Sequence, residues 1–192
     1  MKTIPTILTC VAAARAAAHT MVSRSYPPPP GPWTAGVWRY PVPYYFGDGI
    51  NANDGYFWLG KQPTAYCPSD VDCSAYPGTS TIFVGGNDTI SLLVGVEGGQ
   101  QVYIDVNGAL AYAEPNATLP EGAVANGFER AISDAGGAPT VLAFPSRNWQ
   151  LCSVDGSDDG VYQIFLGNYT GDCLLFEMRT YTASGASAWE YV

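Results

Sequence analysis

Short segments of alternating apolar and polar residues recur along this chain, and glycine, proline, asparagine and aspartate separate them. The clearest example runs from Gly98 to Ala113, where two alternating strands flank the pair Asn107-Gly108. Asparagine and glycine both tolerate a positive φ, which the commonest two-residue β-hairpin turns require. The pattern therefore predicts a tight hairpin with Asn107 and Gly108 at its centre.

The same hairpin pattern occurs three times. Asp54-Gly55 precedes an apolar strand, and so does Asp159-Gly160, so that the three turn glycines lie 53 and 52 residues apart. A regular spacing of this kind indicates an internal structural repeat. Each turn also follows another candidate strand, at residues 50–53, 102–106 and 151–154.

The remaining pattern predicts an all-β fold. No window of twelve or more residues combines a 3.6-residue hydrophobic period with helix caps; Val124 to Ala135 comes closest and is interrupted by Gly127. Three related hairpins favour a β-trefoil-like barrel, in which the hairpins close one end, and a two-sheet β-sandwich is the alternative. The predicted strands cover residues 56–59, 81–84, 90–96, 102–106, 110–112, 141–144, 149–154, 162–166, 174–181 and 188–192.

The chain divides into three parts. Residues 1–18 have the features of a secretory signal peptide, with Lys2 ahead of an apolar run and a small-residue cleavage site at 16–18; cleavage after Ala14 is the alternative. The apolar run is too short to span a bilayer. Residues 19–46 form a strap rich in proline and aromatic residues, and residues 47–192 form the all-β domain.

The strap contains the first candidate binding residues. Trp33, Trp38 and Tyr40 offer aromatic faces on which a sugar ring could stack. The alternative is that these side chains fasten the strap to the domain. The preceding prolines, Pro27 to Pro30, favour an extended polyproline conformation.

Four cysteines remain once Cys10 leaves with the signal peptide, an even number suited to an oxidising compartment. Three pairings are possible. We expect Cys67 to pair with Cys73 in a small loop, and Cys152 on a hairpin strand to pair with Cys173 at the start of another strand. Zinc is disfavoured because the CX5C spacing, with no histidine nearby, matches no common structural site.

Three sequons predict N-glycosylation in the secretory pathway, at Asn87, Asn116 and Asn168. Asn116 and Asn168 each lie eight residues beyond a hairpin glycine. The repeat therefore predicts that these two asparagines occupy equivalent loops.

The charge and the residue types exclude several functions. A formal net charge of −9 disfavours nucleic acid and anionic membranes as partners.

The single histidine, His19, lies at the expected mature N terminus. A Ser-His-Asp or Cys-His hydrolase is therefore excluded, and so is a copper site that needs a second histidine. Residues 155–160 imitate a calcium loop but have Leu166 where a glutamate is required. We expect no cofactor and no metal.

An acid glycosidase needs only two carboxylates about 5 to 10 Å apart. The acidic residues that look least like turn residues are the better candidates, and they are Glu114, Glu129, Glu177 and Asp172. Sequence alone gives no distance between them, so this enzyme remains an alternative.

The chain also resembles a known family. The segments GYFWLGKQPTAYCPS, GGNDTISLLV and GGQQVYIDVNGALAYA, followed later by VYQIFLGNYTGDCLLFEM and AWEYV, are similar to secreted fungal cell wall proteins of the PhiA type. The resemblance implies a small glycosylated wall protein that takes part in phialide and conidium formation and in stress protection, and that is related to IgE-binding allergens. It implies no catalytic residue. Two regions depart from the family pattern, namely the strap and residues 121–139.

We therefore expect a non-catalytic secreted glycoprotein of the cell wall with a structural role in asexual sporulation. Its expected partner is a cell wall polysaccharide. A carbohydrate-binding module is the first alternative, and an acid glycosidase is the second.

Overall fold

A computed structural model describes residues 30–39, 49–132, 140–154, 160–167 and 169–192. The predicted signal peptide, His19, Tyr40, Asn168 and most of the calcium-loop-like segment lie outside these residues. The described part is all-β, and none of it forms a helix that could cross a membrane. Its strands are β1 (Trp33–Trp38), β2 (Asn51–Asn53), β3 (Tyr56–Leu59), β4 (Ala65–Tyr66), β5 (Phe83–Leu92), β6 (Gln100–Ile104), β7 (Leu110–Tyr112), β8 (Phe128–Ile132), β9 (Thr140–Ala143), β10 (Trp149–Cys152), β11 (Tyr162–Leu166), β12 (Cys173–Thr182) and β13 (Glu190–Tyr191).

Antiparallel pairing closes a barrel. Strand β1 pairs with β12 from Trp33↔Thr182 to Trp38↔Glu177, and on its other side Trp33 pairs with Phe83 of β5. Strand β12 also pairs with β9, β9 pairs with β8, and β8 pairs with β5. Because this path returns to its start, these five described strands form a closed ring, whereas each of the two separate sheets of a sandwich would have free edges.

Three hairpins cover one end of the barrel: β2–β3, β6–β7 and β10–β11. We call them the hairpin cap. Their second strands meet in all three combinations, through Tyr56↔Ala111, Gln163↔Trp58 and the bridge Ala109↔Phe165. This is the trefoil-like pseudo-threefold arrangement that the glycine spacing predicts.

The inward faces of the cap strands join the core. Phe57 and Leu59 of β3, Leu110 and Tyr112 of β7, and Ile164 of β11 belong to one continuous apolar cluster inside the barrel. Alternation along a strand sends the intervening residues to the opposite face. The cap therefore has an outer face of its own.

The turns of the first two hairpins differ. Asp54 and Gly55 have φ values of 53° and 75°, the double left-handed geometry of a type I′ turn. At the second hairpin only Gly108 is left-handed, with a φ of 90°, so the prediction of positive φ at Asn107 is wrong. The Asp105 carboxylate explains the difference, because it accepts hydrogen bonds from the backbone N–H groups of Asn107 and Ala109 at 2.8 Å and so stabilises a longer turn.

Three strands of the described structure, β1, β4 and β8, are missing from the strands that the sequence pattern predicts. Strand β1 lies inside the predicted strap, so the barrel begins before residue 47. Its residues Trp33, Ala35 and Val37 alternate inward, a pattern that the surrounding prolines obscure. Strand β8 lies in the segment that came closest to a helical pattern, where Phe128 and Arg130 face inward beyond Gly127.

Candidate functional site

The first candidate stacking residue of the strap, Trp33, is enclosed by the barrel. Trp33 is fully buried, its ring stacks on Phe83 with a centroid distance of 4.6 Å, and its Nε1–H donates to the Gly85 carbonyl. The stacking hypothesis for Trp33 is therefore wrong, because no face of its ring reaches solvent. Trp38 is half-buried, and the guanidinium of Arg179 lies 3.3 Å from its ring centroid. Tyr40 lies outside the described residues.

A cavity of about 450 Å³ opens on the outer face of the hairpin cap. We call it the cap cavity. All three hairpins or their adjoining loops contribute to it, which explains why no single sequence segment shows it. Its aromatic lining consists of Tyr56, Trp58, Phe165 and Tyr169, and its polar lining consists of Asp54, Asp105, Asn107 and Gln163.

The depression exists because one hairpin supplies small side chains. Leu110 and Tyr112 of β7 face the core, so Ala109 and Ala111 face outward. The facing positions of the other two hairpins carry larger side chains, since Ala111 pairs with Tyr56 and Ala109 pairs with Phe165. Ala109, which lines the cap cavity, therefore leaves space between neighbouring aromatic rings.

A small apolar layer supports the floor of the cap cavity. Ala109, Cys152 and Phe165 are buried together, with Tyr56 and Cys173 packed against them. The disulfide between Cys152 and Cys173 lies in this layer and joins directly paired residues of β10 and β12, whose Cα atoms are 4.2 Å apart. The second disulfide joins Cys67 to Cys73, so both bonds have the pairing that we expected from the sequence.

Tyr169 is the most exposed aromatic residue of the cap cavity, at 36%. Its ring stacks on Phe165 with a centroid distance of 4.1 Å, and its backbone N–H donates to the Gln150 side chain at 3.0 Å. A Cβ on Gly171 would lie 2.8 Å from the same ring, so the glycine makes room for it. These contacts hold the Tyr169 ring in place.

A second cavity of about 430 Å³ adjoins the first. Tyr169 and Asn107 line both cavities, while Ser146, Arg147 and Asn148 line only the second. The two spaces are therefore neighbouring parts of one depression, with Asn107 and Tyr169 at their shared border.

Two polar features distinguish the cap cavity. Asp54 and Asp105 contribute carboxylates, whereas the described part of the chain places no lysine or arginine in the lining. The Trp58 ring is less available than that of Tyr169, because its Nε1–H donates to the Asn53 carbonyl and the Lys61 ammonium lies 3.4 Å from its centroid. The accessible chemistry is thus an aromatic surface surrounded by hydrogen-bond acceptors.

The structure does not bring the candidate glycosidase carboxylates into this depression. Glu177 forms an ion pair with Arg179 at 2.8 Å, and exposed Glu129 lies opposite Asn87 in the β5–β8 pair. Burial, together with the neighbouring Glu114, raises the pKa of Glu190, which sequence reasoning missed. Neither Glu114 nor Glu190 lines the two cavities at the cap. Asp172 is exposed in the loop before β12.

The described sequons lie at the surface. Asn87 is exposed on β5, and Asn116 is exposed with a φ of 58° and its side-chain amide donating to the Glu97 carbonyl at 3.2 Å. Glycosylation at these positions and at Asn168 stays a prediction. Within the described ranges, no group of three or more histidine, cysteine or acidic side chains is arranged to hold a metal ion.

Comparison with known proteins gives a family and one curated relative. The family model described as PhiA-like secreted protein matches residues 47–192. A protein of Arthroderma benhamiae described as an uncharacterized secreted protein is 29% identical over 147 residues, which cover 70% of this chain and 73% of the relative. No solved structure matches.

Proposed function

The chain belongs to the PhiA-like secreted protein family, and from this membership we propose that it is a non-catalytic glycoprotein of the fungal cell wall. Its role is structural and developmental, in phialide and conidium formation during asexual sporulation and in stress protection. The observation that carries the proposal is the extent of the family match, which runs from residue 47 to the last residue and takes in every strand except β1.

The construction of the domain supports a structural role outside the cell. A closed barrel with two disulfides resists unfolding, and disulfides persist in oxidising compartments. The C-terminal strand β13 pairs with β4, and Tyr191 within it is buried. The end of the chain is thereby tied into the fold.

The acid glycosidase ranks below this role. A general acid of this kind needs a raised pKa inside a substrate cleft. The candidate Glu177 is paired with Arg179, and the raised pKa of Glu190 belongs to a residue that lines neither cavity at the cap. Assays of the secreted protein on β-glucan and chitin should release no reducing ends above background. The Glu114→Gln and Glu190→Gln variants should release the same background amount as the wild type.

Deletion of the gene tests the role in sporulation. We expect a several-fold loss of conidia with malformed phialides, restored by the wild-type gene, and we expect the protein in the wall fraction. Normal conidiation, or a protein found wholly in the culture medium, would contradict the proposal. Measuring both traits in the same strains separates a developmental role from wall residence.

A carbohydrate-binding role is the second candidate. The specific observation in its favour is the cap cavity, whose aromatic and polar lining differs from that of an ordinary protein surface. Binding to wall polysaccharide is also compatible with a structural function.

A further inference from the structure

We infer that the cap cavity binds a neutral oligosaccharide, with one sugar ring stacked on Tyr169. The inference rests on the proposed function only for the source of the sugar, a wall polysaccharide. The site itself follows from the geometry of the hairpin cap.

The lining of the cavity matches the chemistry of a neutral sugar. A sugar ring has apolar C–H faces that pack on an aromatic ring, and hydroxyl groups around its edge that donate hydrogen bonds. Tyr169 supplies the ring, while the carboxylates of Asp54 and Asp105 and the amide of Asn107 supply acceptors. Ligand sites commonly combine an apolar surface with a few polar groups in this way.

The charge of the site disfavours an anionic ligand. Among the described residues that line the cap cavity, two are carboxylates and none is cationic, so an acidic sugar would meet like charges. The adjoining cavity contains Arg147, but beyond Tyr169. A neutral oligosaccharide that passes over Tyr169 would meet the hydrogen-bond acceptors of the cap cavity on one side. On the other side it would meet the guanidinium donor of Arg147.

The size of the depression fits several sugar units. Its two parts have volumes of about 450 and 430 Å³, each within the range of roughly 300 to 1,000 Å³ typical of small-molecule sites. Because Asn107 and Tyr169 line both parts, an oligosaccharide could occupy the two together. We therefore expect affinity to increase with chain length from a disaccharide to a hexasaccharide.

The stacking surface is fixed before any ligand arrives. Phe165 lies against one face of the Tyr169 ring, Gly171 makes room at its edge, and the Gln150 side chain holds its backbone. A fixed ring loses little conformational freedom on binding, which favours affinity. This arrangement distinguishes Tyr169 from an ordinary exposed tyrosine.

The test is calorimetric titration of the secreted full-length protein with a β-1,3-glucan hexamer, with chitohexaose and with an anionic oligogalacturonate hexamer. We expect at least one neutral hexamer to bind with a Kd in the micromolar to low millimolar range, and the anionic hexamer to bind more weakly. Tyr169→Ala should weaken binding tenfold or more, and it keeps the sequon at Asn168 intact. Tyr169→Phe should bind within about threefold of wild type, because it retains the ring.

Two further variants complete the design. Asn107→Ala should weaken binding several-fold without disturbing the turn, because the backbone N–H of Asn107, not its side chain, bonds to Asp105. Tyr66→Ala is the matched control, since Tyr66 is 51% exposed on β4 and lines neither cavity; it should bind as wild type. Thermal unfolding checks that each variant is folded.

The inference is overturned if wild type binds neither neutral hexamer, if the anionic hexamer binds more tightly, or if Tyr169→Ala and Asn107→Ala both bind as wild type does. Such a result from a protein that still fractionates with the wall would leave the proposed function standing. Conversely, sugar binding by a protein that proves free in the medium would support the site and contradict wall residence.

Discussion

Gln100 and Tyr191 lie 91 residues apart in the chain and exchange two hydrogen bonds. The Gln100 Nε2–H donates to the Tyr191 carbonyl, and the Tyr191 backbone N–H donates to Gln100 Oε1, both at 2.8 Å. Both residues are almost completely buried. The pair joins the first strand of the second hairpin to the C-terminal strand. Strand β13 pairs with β4, and the Gln100 side chain satisfies the Tyr191 backbone groups that this pairing does not use.

Gln100→Ala should therefore destabilise the protein by about 2 to 4 kcal/mol, since it leaves the backbone N–H and C=O of Tyr191 buried without partners. Urea denaturation measures the loss. The control is Gln101→Ala at the exposed neighbouring position, which should change the unfolding free energy by less than about 0.5 kcal/mol. Equal losses of unfolding free energy from both variants would show that the two Gln100–Tyr191 hydrogen bonds add no measurable stability.

The stability should fall in alkali between about pH 10 and pH 12. Burial raises the pKa of Tyr112 and that of Tyr191 to about 12, from an ordinary value of 10.0. Above pH 10 the unfolded chain releases these protons while the folded chain retains them, so the stabilisation present below pH 10 is lost as the pH rises through the folded pKa. Ultraviolet absorbance of tyrosinate, measured beside the unfolding free energy, checks this.

Tyr191→Phe provides the matched variant for the alkaline transition. It should cost about 1 kcal/mol at neutral pH, because the Tyr191 hydroxyl donates to the Ser80 carbonyl at 2.6 Å. It should also flatten the fall in stability above pH 10. An unchanged alkaline slope in this variant would show that Tyr191 does not contribute to it.

Removal of the two disulfides should have unequal effects. The Cys152–Cys173 bond closes the longer loop and lies under the cap cavity, so replacing both cysteines by alanine should cost about 3 kcal/mol or more. The same replacement of Cys67 and Cys73 should cost about 2 kcal/mol, because the loop is shorter and Cys67 is exposed. Thermal unfolding of the two double variants shows which disulfide contributes more stability. A greater loss of stability in the Cys67–Cys73 variant would contradict the prediction.

Gly60→Ala should destabilise the contact between the first and third hairpins. Gly60 has a φ of 87°, and a Cβ there would overlap the carbonyl oxygen of Gly160. We expect a loss of about 2 to 3 kcal/mol, of which about 1 kcal/mol reflects the backbone conformation. Gly185→Ala isolates that part, because Gly185 has a φ of 69° and open space around it. Similar losses from the two variants would exclude the steric contribution.

The candidate site was harder to predict than the fold. Tyr169 appeared in the sequence only as the middle residue of a sequon, and Ala109 and Ala111 appeared only as strand residues. The useful signal was the small size of these alanines in a repeat whose other copies carry aromatic residues at facing positions. Reading that signal requires knowing which strands face one another, and strand pairing between distant segments is not encoded in a local pattern.

The sequence by itself determined the hairpins and the all-β class, because turn residues and apolar alternation act over a few neighbouring residues. Only the tertiary structure decided that β1 belongs to the barrel, that Trp33 is buried and that a cavity opens beside Tyr169. Alternation fixes which side chains of a strand share a face, but the long-range pairing of strands decides whether that face is covered by protein or left open to a ligand.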